Sequence, residues 1–393
     1  MKNSWQIKTL GEIGNIFSGN SINEKVKKTK YLNLNEGLPY IATKDVSYSH
    51  EIDYENGVKI PESDLEKFRV AHKNSIFICA EGGSAGRKLA FNIKDVCFVN
   101  KLFAFEAGDS IEPKFVYYFY QSNKFQKKFK SRMTGLIGGV SMGKFKDIEI
   151  SYPNSLGEQK QIVKILDEVF ESISKSKENA ENNLKNAREL FESYLEEIFS
   201  NPKEDWEEKK LGEICDVIAG QSPEGKYYNK KGEGLPFYQG KKEYGTKYIG
   251  EPNTWTTKIT KEAEKGDILM SVRAPVGPIN FSTQKVCIGR GLAAIRGTKN
   301  IDREFLFYHL LKHEKSITGN TGAVFNSINK SQIEEINLII PSLSEQKSIV
   351  KKLDSLSKEI KQLEEIYKQK VKDLEELKKS MLQKAFSGEL TKK

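Results

Sequence analysis

Two long segments of the chain carry apolar and small residues at intervals of three and four, the spacing of one face of an α-helix. These segments are residues 155–200 and 342–387. They begin almost alike, with SLGEQKQIVKILD in the first and SLSEQKSIVKKLD in the second. They align without a gap, and 19 of their 46 positions are identical. The pattern predicts two matching helices, each roughly 65 Å long at about 1.5 Å per residue.

Each predicted helix has a defined start. Ser155 with Glu158, and Ser342 with Glu345, have the S-x-x-E spacing of a capping box. In a capping box both side chains satisfy backbone N–H groups that the first helical turn leaves free. We therefore expect the helices to begin at these serines.

The predicted helices also have an apolar stripe that needs a partner. In the second helix the stripe consists of Ile349, Leu353, Leu356, Ile360, Leu363, Tyr367, Val371, Leu374, Leu377 and Met381. A lone helix would leave such a stripe in water. Residues 153–200 contain six basic and ten acidic residues, whereas residues 342–393 contain thirteen basic and nine acidic residues. These opposite net charges favour pairing of the two helices with each other; the alternative is that each pairs with another protein.

The remaining parts of the chain repeat each other as well. W-x4-LGEI begins at Trp5 and again at Trp206, and GLP recurs at residues 37 and 234. Both parts contain short β-rich runs separated by Gly, Pro and Asn, followed by one or two helices. The offset between the copies falls from 201 to 188, as expected when loop insertions accumulate in two copies of one fold. The sequence predicts an α+β protein with an internal repeat and four segments: 1–152, 153–200, 201–341 and 342–393.

Composition narrows the functional classes. A chain of 393 residues is too long for one ordinary domain. The net charge of +9 is compatible with nucleic-acid binding but is weak evidence alone. The sequence has neither a run of about 20 apolar residues nor the apolar core of a signal peptide, so we expect a cytoplasmic protein without a membrane span.

Three motifs that suggest enzymes are incomplete. GGVSMGK (residues 138–144) has P-loop spacing, but Phe145 stands where a magnesium-binding Ser or Thr belongs, so we predict a turn leading into a strand. GRGLAA (residues 289–294) fits the dinucleotide pattern, but the following residues predict a strand instead of a helix. His309 and His313 have metal-ligand spacing without the glutamate of a zinc protease. We expect no catalytic site, cofactor or metal ion.

Recognition chemistry is better represented than catalysis. Arginine pairs in a bidentate way with guanine and glutamine with adenine, while lysine contacts phosphates. Several glycine-bearing loops and one basic helix around residues 124–132 offer such side chains. The candidate DNA contacts are Lys44, Tyr48, Arg87, Lys88, Lys128, Arg132, Gln239, Lys241, Lys242, Arg273, Arg290 and Lys330. The alternatives are a solvated amphipathic helix for residues 124–132 and structural roles for single arginines.

The order of the motifs resembles a known family. W-x4-LGEI, GLP, GDILMSVRAP, CIGRGL and PSLSEQKSI, largely duplicated, are similar to the specificity subunit of type I restriction-modification systems. The first copy departs from this pattern, with GGSAGRK in place of VRAPVGP and VNKLF in place of IGRGL. The departure leaves individual DNA contacts open.

The resemblance implies a non-catalytic protein with two target recognition domains joined by two helices in an antiparallel coiled coil. It also implies a two-part double-stranded DNA target, two modification (methyltransferase) subunits and restriction (translocase and endonuclease) subunits as partners. A nucleotide-dependent enzyme built on GGVSMGK, or a coiled-coil scaffold without DNA affinity, remains as an alternative.

Overall fold

The computed structural model describes residues 5–135, 138–317 and 327–391, without the side chains of residues 315–317. The chain forms two compact units. The first unit consists of residues 1–180 and 369–393, and the second of residues 181–368. Each unit therefore combines one of the repeated α+β segments with part of each long helix.

The described residues of the first unit form ten strands in three small sheets. The strands are β1 (Trp5–Thr9), β2 (Gly14–Ser18), β3 (Leu38–Ile41), β4 (Lys59–Ile60), β5 (Val70–Ala71), β6 (Ile76–Cys79), β7 (Leu89–Phe91), β8 (Val96–Phe98), β9 (Leu102–Ala107) and β10 (Glu149–Pro153). One sheet has the order β2-β9-β6-β7, a second has β4-β3-β8-β5 with β3 parallel to β8, and β1 pairs with β10.

Helices of the first unit pack against one face of the sheet β2-β9-β6-β7. The helices of this unit are α1 (Leu10–Ile13), α2 (Glu24–Val26), α3 (Pro113–Gln121), α4 (Asn123–Lys130), α5 (Met142–Lys146) and the beginning of α6 (Leu156–Ser200). Ser122 separates α3 from α4, and its hydroxyl caps α4 by accepting from the Phe125 N–H.

Strand β6 explains how the core is organised. All four residues of its sequence IFIC are fully buried. Ile76 and Ile78 pack toward the helices, whereas Phe77 and Cys79 pack toward the second sheet. Successive side chains of a strand point to opposite faces, so an uninterrupted apolar run is the pattern of a strand covered on both sides.

Where the structure describes it, the second unit repeats this topology with one additional strand. Its strands are β11 (Glu207–Lys210), β12 (Cys215–Ala219), β13 (Tyr228–Asn229), β14 (Leu235–Tyr238), β15 (Trp255–Thr256), β16 (Glu262–Ala263), β17 (Ile268–Ser271), β18 (Ile279–Phe281), β19 (Val286–Ile288), β20 (Leu292–Gly297) and β21 (Asn337–Ile340). Its helices are the end of α6, α7 (Leu211–Ile214), α8 (Arg303–Ile317), α9 (Lys330–Glu334) and the beginning of α10 (Leu343–Ser387).

The sheet orders show that the two units are copies. The sheet β12-β20-β17-β18 corresponds to β2-β9-β6-β7, and β14 runs parallel to β19 as β3 does to β8. Strand β13 adds a fifth strand beside β15. The predicted α+β class and internal repeat are confirmed.

The two long helices run antiparallel within each unit. In the first unit, Lys177 Nζ lies 3.4 Å from Glu375 Oε1 and Lys378 Nζ lies 4.9 Å from the centre of the Phe170 ring. In the second unit, Arg188 Nε lies 2.5 Å from Glu364 Oε1. Both helices are 45 residues long, as the apolar pattern predicts.

Two positions of the predicted stripe lie at its margin. Leu363 and Leu377 are 40% and 45% exposed, and Leu377 borders a groove that Val169 and Ile173 of the other helix also line. The following residues, Glu364 and Lys378, contact the other helix as well. Long charged side chains can cover an apolar surface with their methylene groups while the charged end reaches a partner. An apolar pattern alone therefore does not identify these charged contacts.

A repeated glutamine attaches each long helix to the α+β segment that precedes it. Gln159 is fully buried; its Oε1 accepts from the Glu112 N–H at 2.8 Å and its Nε2 donates to the Pro153 carbonyl at 2.9 Å. Gln346 occupies the same position in the second copy. It accepts from the Asp302 N–H at 2.7 Å and donates to the Pro341 carbonyl at 2.9 Å.

A repeated aspartate eight residues later makes the second attachment. Asp167 accepts from Lys114 at 2.9 Å and from Tyr118, and Asp354 accepts from Lys247 at 3.0 Å and from Tyr308 at 2.6 Å. Burial, together with the hydrogen bond to the carboxylate, raises the pKa of Tyr118 and of Tyr308 well above the usual value.

The helix starts agree only in part with a capping box. Ser342 Oγ accepts from the Glu345 N–H at 3.4 Å, which is the serine half of the motif. The carboxylates make other contacts: Glu345 pairs with Lys203 at 2.5 Å, and Glu158 accepts from the Thr391 hydroxyl at 2.8 Å. These glutamates connect each helix start to a neighbouring segment of its own unit.

Candidate nucleic-acid interface

Three loops of the second unit meet around a cleft of about 170 Å³. They follow the ends of β14, β17 and β19. The lining includes Gln239, Lys241, Arg273 and Arg290, four of the predicted DNA contacts. All four residues are exposed. The cleft therefore combines one amide with three cationic groups at a single point of the surface.

Small residues hold these loops together. A Cβ at Gly291 would lie 2.2 Å from the Gln239 carbonyl oxygen, so only glycine allows the first and third loops to approach this closely. The buried Ser271 hydroxyl donates to the carbonyls of Arg273 and Pro275 at 3.2 and 3.0 Å. Ser222 Oγ accepts from the Arg290 N–H at 3.1 Å. The backbone that carries both arginines is thus fixed while their side chains face solvent.

The chemistry of the cleft suits a nucleic acid. Its described lining contains three cationic side chains and no carboxylate. Guanidinium groups and a carboxamide are the side chains that pair with base edges in a major groove, and lysine contacts phosphate.

The first unit brings a different set of side chains together at the corresponding loops. Tyr48 is 55% exposed, and its hydroxyl lies 3.1 Å from Ser84 Oγ. The Arg87 guanidinium carbon lies 4.9 Å and Lys88 Nζ 5.2 Å from the centre of the Tyr48 ring. Both distances fit cation–π contacts. Lys88 Nζ also donates to the Thr43 carbonyl at 3.0 Å, which joins the two loops.

Helix α4 supports the loop that carries Arg87. Gln126 Nε2 donates to the Gly86 carbonyl at 2.9 Å. Gly86 has φ +70°, and a Cβ there would lie 2.6 Å from the Phe129 ring. Phe125 and Phe129 are buried, as expected for the apolar face of this basic helix. The helix therefore fixes the backbone of the loop that carries Arg87.

The other predicted contacts lie outside these two clusters or at their margins. Lys128 pairs with Glu149 at 3.1 Å, Arg132 donates to the Lys128 carbonyl at 3.1 Å, and Lys330 pairs with Glu334 at 3.4 Å. Lys44 and Lys242 are exposed on the short 3-10 turns Thr43–Asp45 and Lys241–Glu243, beside the clusters.

The incomplete enzyme motifs form ordinary structural elements. Residues 138–144 form a turn and enter α5, which Ser141 caps, so the predicted direct passage into a strand is wrong by one short helix. Residues 289–294 enter β20, as predicted. Within the described ranges no group of three or more His, Cys, Asp and Glu side chains is arranged for a metal ion, and no described helix could cross a membrane.

Several residues that position the predicted contacts were not predicted from the sequence. Ser84 and Ser271 each orient a predicted contact, but single serines in glycine-bearing loops carry no pattern that distinguishes them. Gln159 and Gln346 had a usable signal, since a buried polar residue recurs at the same position of two apolar-patterned helices. The capping box accounted only for the glutamate beside each of them.

Comparisons with known proteins agree along the whole chain. A family model described as the type I restriction modification DNA specificity domain matches twice, over residues 2–186 and 203–373. The chain is 32% identical to the putative type I restriction enzyme MjaX specificity subunit of Methanocaldococcus jannaschii, covering 98% of this chain and 93% of that protein.

Two solved structures share the fold over nearly their full length. A chain from a structure on complex assembly and conformational transition of the type I R-M system has a TM-score of 0.85 at 25% identity, with 99% of both chains covered. The HsdS subunit from Thermoanaerobacter tengcongensis has a TM-score of 0.65 at 25% identity, covering 99% of this chain and 98% of that one.

Proposed function

We propose a function for this chain on the basis of its family. The chain belongs to the type I restriction-modification DNA specificity family. The resemblance seen in its motifs is thereby confirmed. The chain recognises a two-part double-stranded DNA target, one part with each unit, and it does so without catalysing a reaction itself.

The cleft of the second unit is the observation that carries this proposal. It gathers Gln239, Lys241, Arg273 and Arg290 from three loops without a carboxylate in its described lining. The corresponding loops of the first unit present Tyr48, Arg87 and Lys88. Because the side chains differ while the scaffold repeats, the two units recognise unlike half-sites.

Exposed leucines support the docking of modification subunits on the long helices. Leu190 and Leu377 are 60% and 45% exposed, and they occupy equivalent positions of the two helices. Leu156 and Leu343 are a second such pair, 38% and 42% exposed. Exposed apolar residues that group into a patch mark protein contacts. Equivalent positions in both copies fit two copies of one partner, and restriction subunits would join the same complex.

The test is a map of methylated positions produced by the complex with its modification subunits. Arg273→Ala should cost about 1–3 kcal/mol of target discrimination and relax only one half-site. Arg87→Ala should affect only the other. The matched controls are Arg303→Ala and Arg69→Ala, exposed arginines of the same units that pair with Glu304 or with the Ser18 carbonyl. An effect of both cluster variants on the same half-site would refute the proposal.

A further inference from the structure

The long helices hold each other partly through two ion pairs. Lys177 and Glu375 form one inside the first unit, at 3.4 Å. Arg188 and Glu364 form the other inside the second unit, at 2.5 Å. In both pairs α6 supplies the cation and α10 supplies the carboxylate. This arrangement opposes the net charges of the helices, since residues 153–200 are acidic in total and residues 342–393 are basic.

The internal repeat relates the two ion pairs to each other. Ser155 and Ser342 are equivalent, so every position of α6 corresponds to the position 187 residues later in α10. Lys177 therefore corresponds to Glu364, and Arg188 corresponds to Glu375. Each ion pair is the image of the other, with the sign of the charge reversed at every position.

This reversal distinguishes mixed helix pairs from like pairs. If a second copy of α6 took the place of α10, Arg188 would replace Glu375 and would face Lys177. If a second copy of α10 took the place of α6, Glu364 would replace Lys177 and would face Glu375. Either like pair would replace two attractions with two repulsions. The contact of Lys378 with the Phe170 ring would also be lost, because their equivalents are Phe191 and Ser357.

Like pairing is a realistic competitor because the helices are so similar. They share their length, 19 of 46 aligned residues and the spacing of most of the apolar stripe, although the stripe residues differ in size, as Ala180 and Tyr367 do. Unlike charges beside an apolar stripe contribute to partner choice in paired helices.

We propose that Lys177, Arg188, Glu364 and Glu375 form a charge code that makes α6 select α10 and reject a second α6. The four charges therefore favour the pairing of α6 with α10. They disfavour dimers of two chains in which α6 pairs with α6, or α10 pairs with α10. The code goes beyond the recognition of DNA and does not depend on it.

The test uses four full-length proteins without DNA. K177E/R188E places carboxylates at all four positions, E364K/E375K places cations at all four, and the quadruple variant exchanges the signs. Each two-site variant should melt about 2–4 °C below the parent, and the quadruple variant should recover at least half of that loss. In 1 M salt, where the Debye length is about 3 Å, the differences should shrink.

A mixture tests partner choice directly. K177E/R188E and E364K/E375K are unfolded and refolded together. Within either variant all four charges have the same sign, so opposite charges can face each other only between a helix of one variant and a helix of the other. Native mass spectrometry should then show a one-to-one dimer of the two variants, which neither forms alone and which the parent does not form with the quadruple variant.

Matched controls separate the code from a change of net charge. K164E/K185E and E359K/E376K alter exposed positions of the same helices, where Lys164 and Lys185 pair with glutamates four residues later in α6. These variants should have the melting temperature of the parent, and they should form no dimer with each other. The proposal is overturned if the quadruple variant stays as unstable as the two-site variants, if the mixture forms no one-to-one dimer, or if the controls behave like the two-site variants.

Discussion

At the scale of single residues, His309 couples the fold of the second unit to pH. Its ring is buried against Phe199 at a centroid distance of 4.4 Å, and its Nε2 accepts from the Ile339 N–H at 3.2 Å. Burial, with His313 nearby, lowers the pKa of His309 to about 3. The folded protein therefore holds this histidine neutral, whereas the unfolded chain binds a proton near pH 6.5.

The sign of the pH effect follows from this depressed pKa. A group with a lowered folded-state pKa adds stability above its unfolded pKa and loses that contribution as the pH falls. As the pH falls from 7 to 5, protonation of His309 in the unfolded chain should lower the unfolding free energy of the second unit by about 2 kcal/mol. His309→Gln should make denaturant-measured stability less dependent on pH over this range.

A histidine in a different setting provides the control. His72 is exposed and lies 3.3 Å from Asp95, so His72→Gln should leave the loss of stability between pH 7 and pH 5 in place. A His309→Gln protein that loses as much stability as the parent would contradict the assignment.

The sequence identified most of the cleft residues but did not predict that they lie close together in the fold. Arg273 and Arg290 stood out as donors beside glycines, and they lie 17 positions apart in the chain. Their convergence with Gln239 depends on the parallel pairing of β14 with β19, which no local pattern encodes. Lys128 shows the converse, since its partner Glu149 lies 21 residues away and could not be inferred from helix periodicity.

At the scale of elements, Gln159 and Gln346 join each long helix to the segment beside it. Each carboxamide is buried and makes hydrogen bonds in both directions to backbone groups. The helices themselves were predictable because their periodicity extends over 45 residues. Their attachment was not, because a hydrogen bond to the backbone of a distant loop leaves no periodic trace.

Removal of one glutamine should weaken its own unit. Gln346→Leu leaves the Asp302 N–H and the Pro341 carbonyl buried without their partner, which costs about 1–3 kcal/mol per unsatisfied group. We expect a lower melting temperature and faster hydrogen exchange at the start of α10, measured by mass spectrometry.

The matched control is a glutamine on the exposed side of α6. Gln161→Leu changes the same functional group two residues after Gln159 at an exposed position, and it should leave melting unchanged. Equal melting of the Gln346→Leu and Gln161→Leu proteins would show that the buried carboxamide is dispensable.

At the scale of the whole molecule, each α+β segment (residues 1–152 and 201–341, the proposed recognition segments) has its first and last strands paired in one two-stranded sheet. Trp5 lies opposite Pro153 in the pair β1–β10, and Glu207 lies opposite Ile340 in the pair β11–β21. A segment whose first and last strands are paired can be exchanged as a unit, because its two ends lie side by side within its own unit.

Exchange of residues 1–152 with residues 201–341 should therefore preserve both half-sites and reverse their order around the unspecified bases. The measurement is a map of methylated positions for the exchanged protein in complex with its modification subunits. The parental order, or an unrelated contiguous target, would contradict independent recognition by two segments.

The pairing of first and last strands also determines where the chain can change length. An insertion between two neighbouring strand ends lengthens a surface loop without moving either end. The repeat records this: the offset between the recognition segments drifts from 201 to 188, whereas the long helices keep an offset of 187 throughout. Under the proposed function, changes confined to the residues between β1 and β10 would give the protein a new half-site while both long helices keep their sequence.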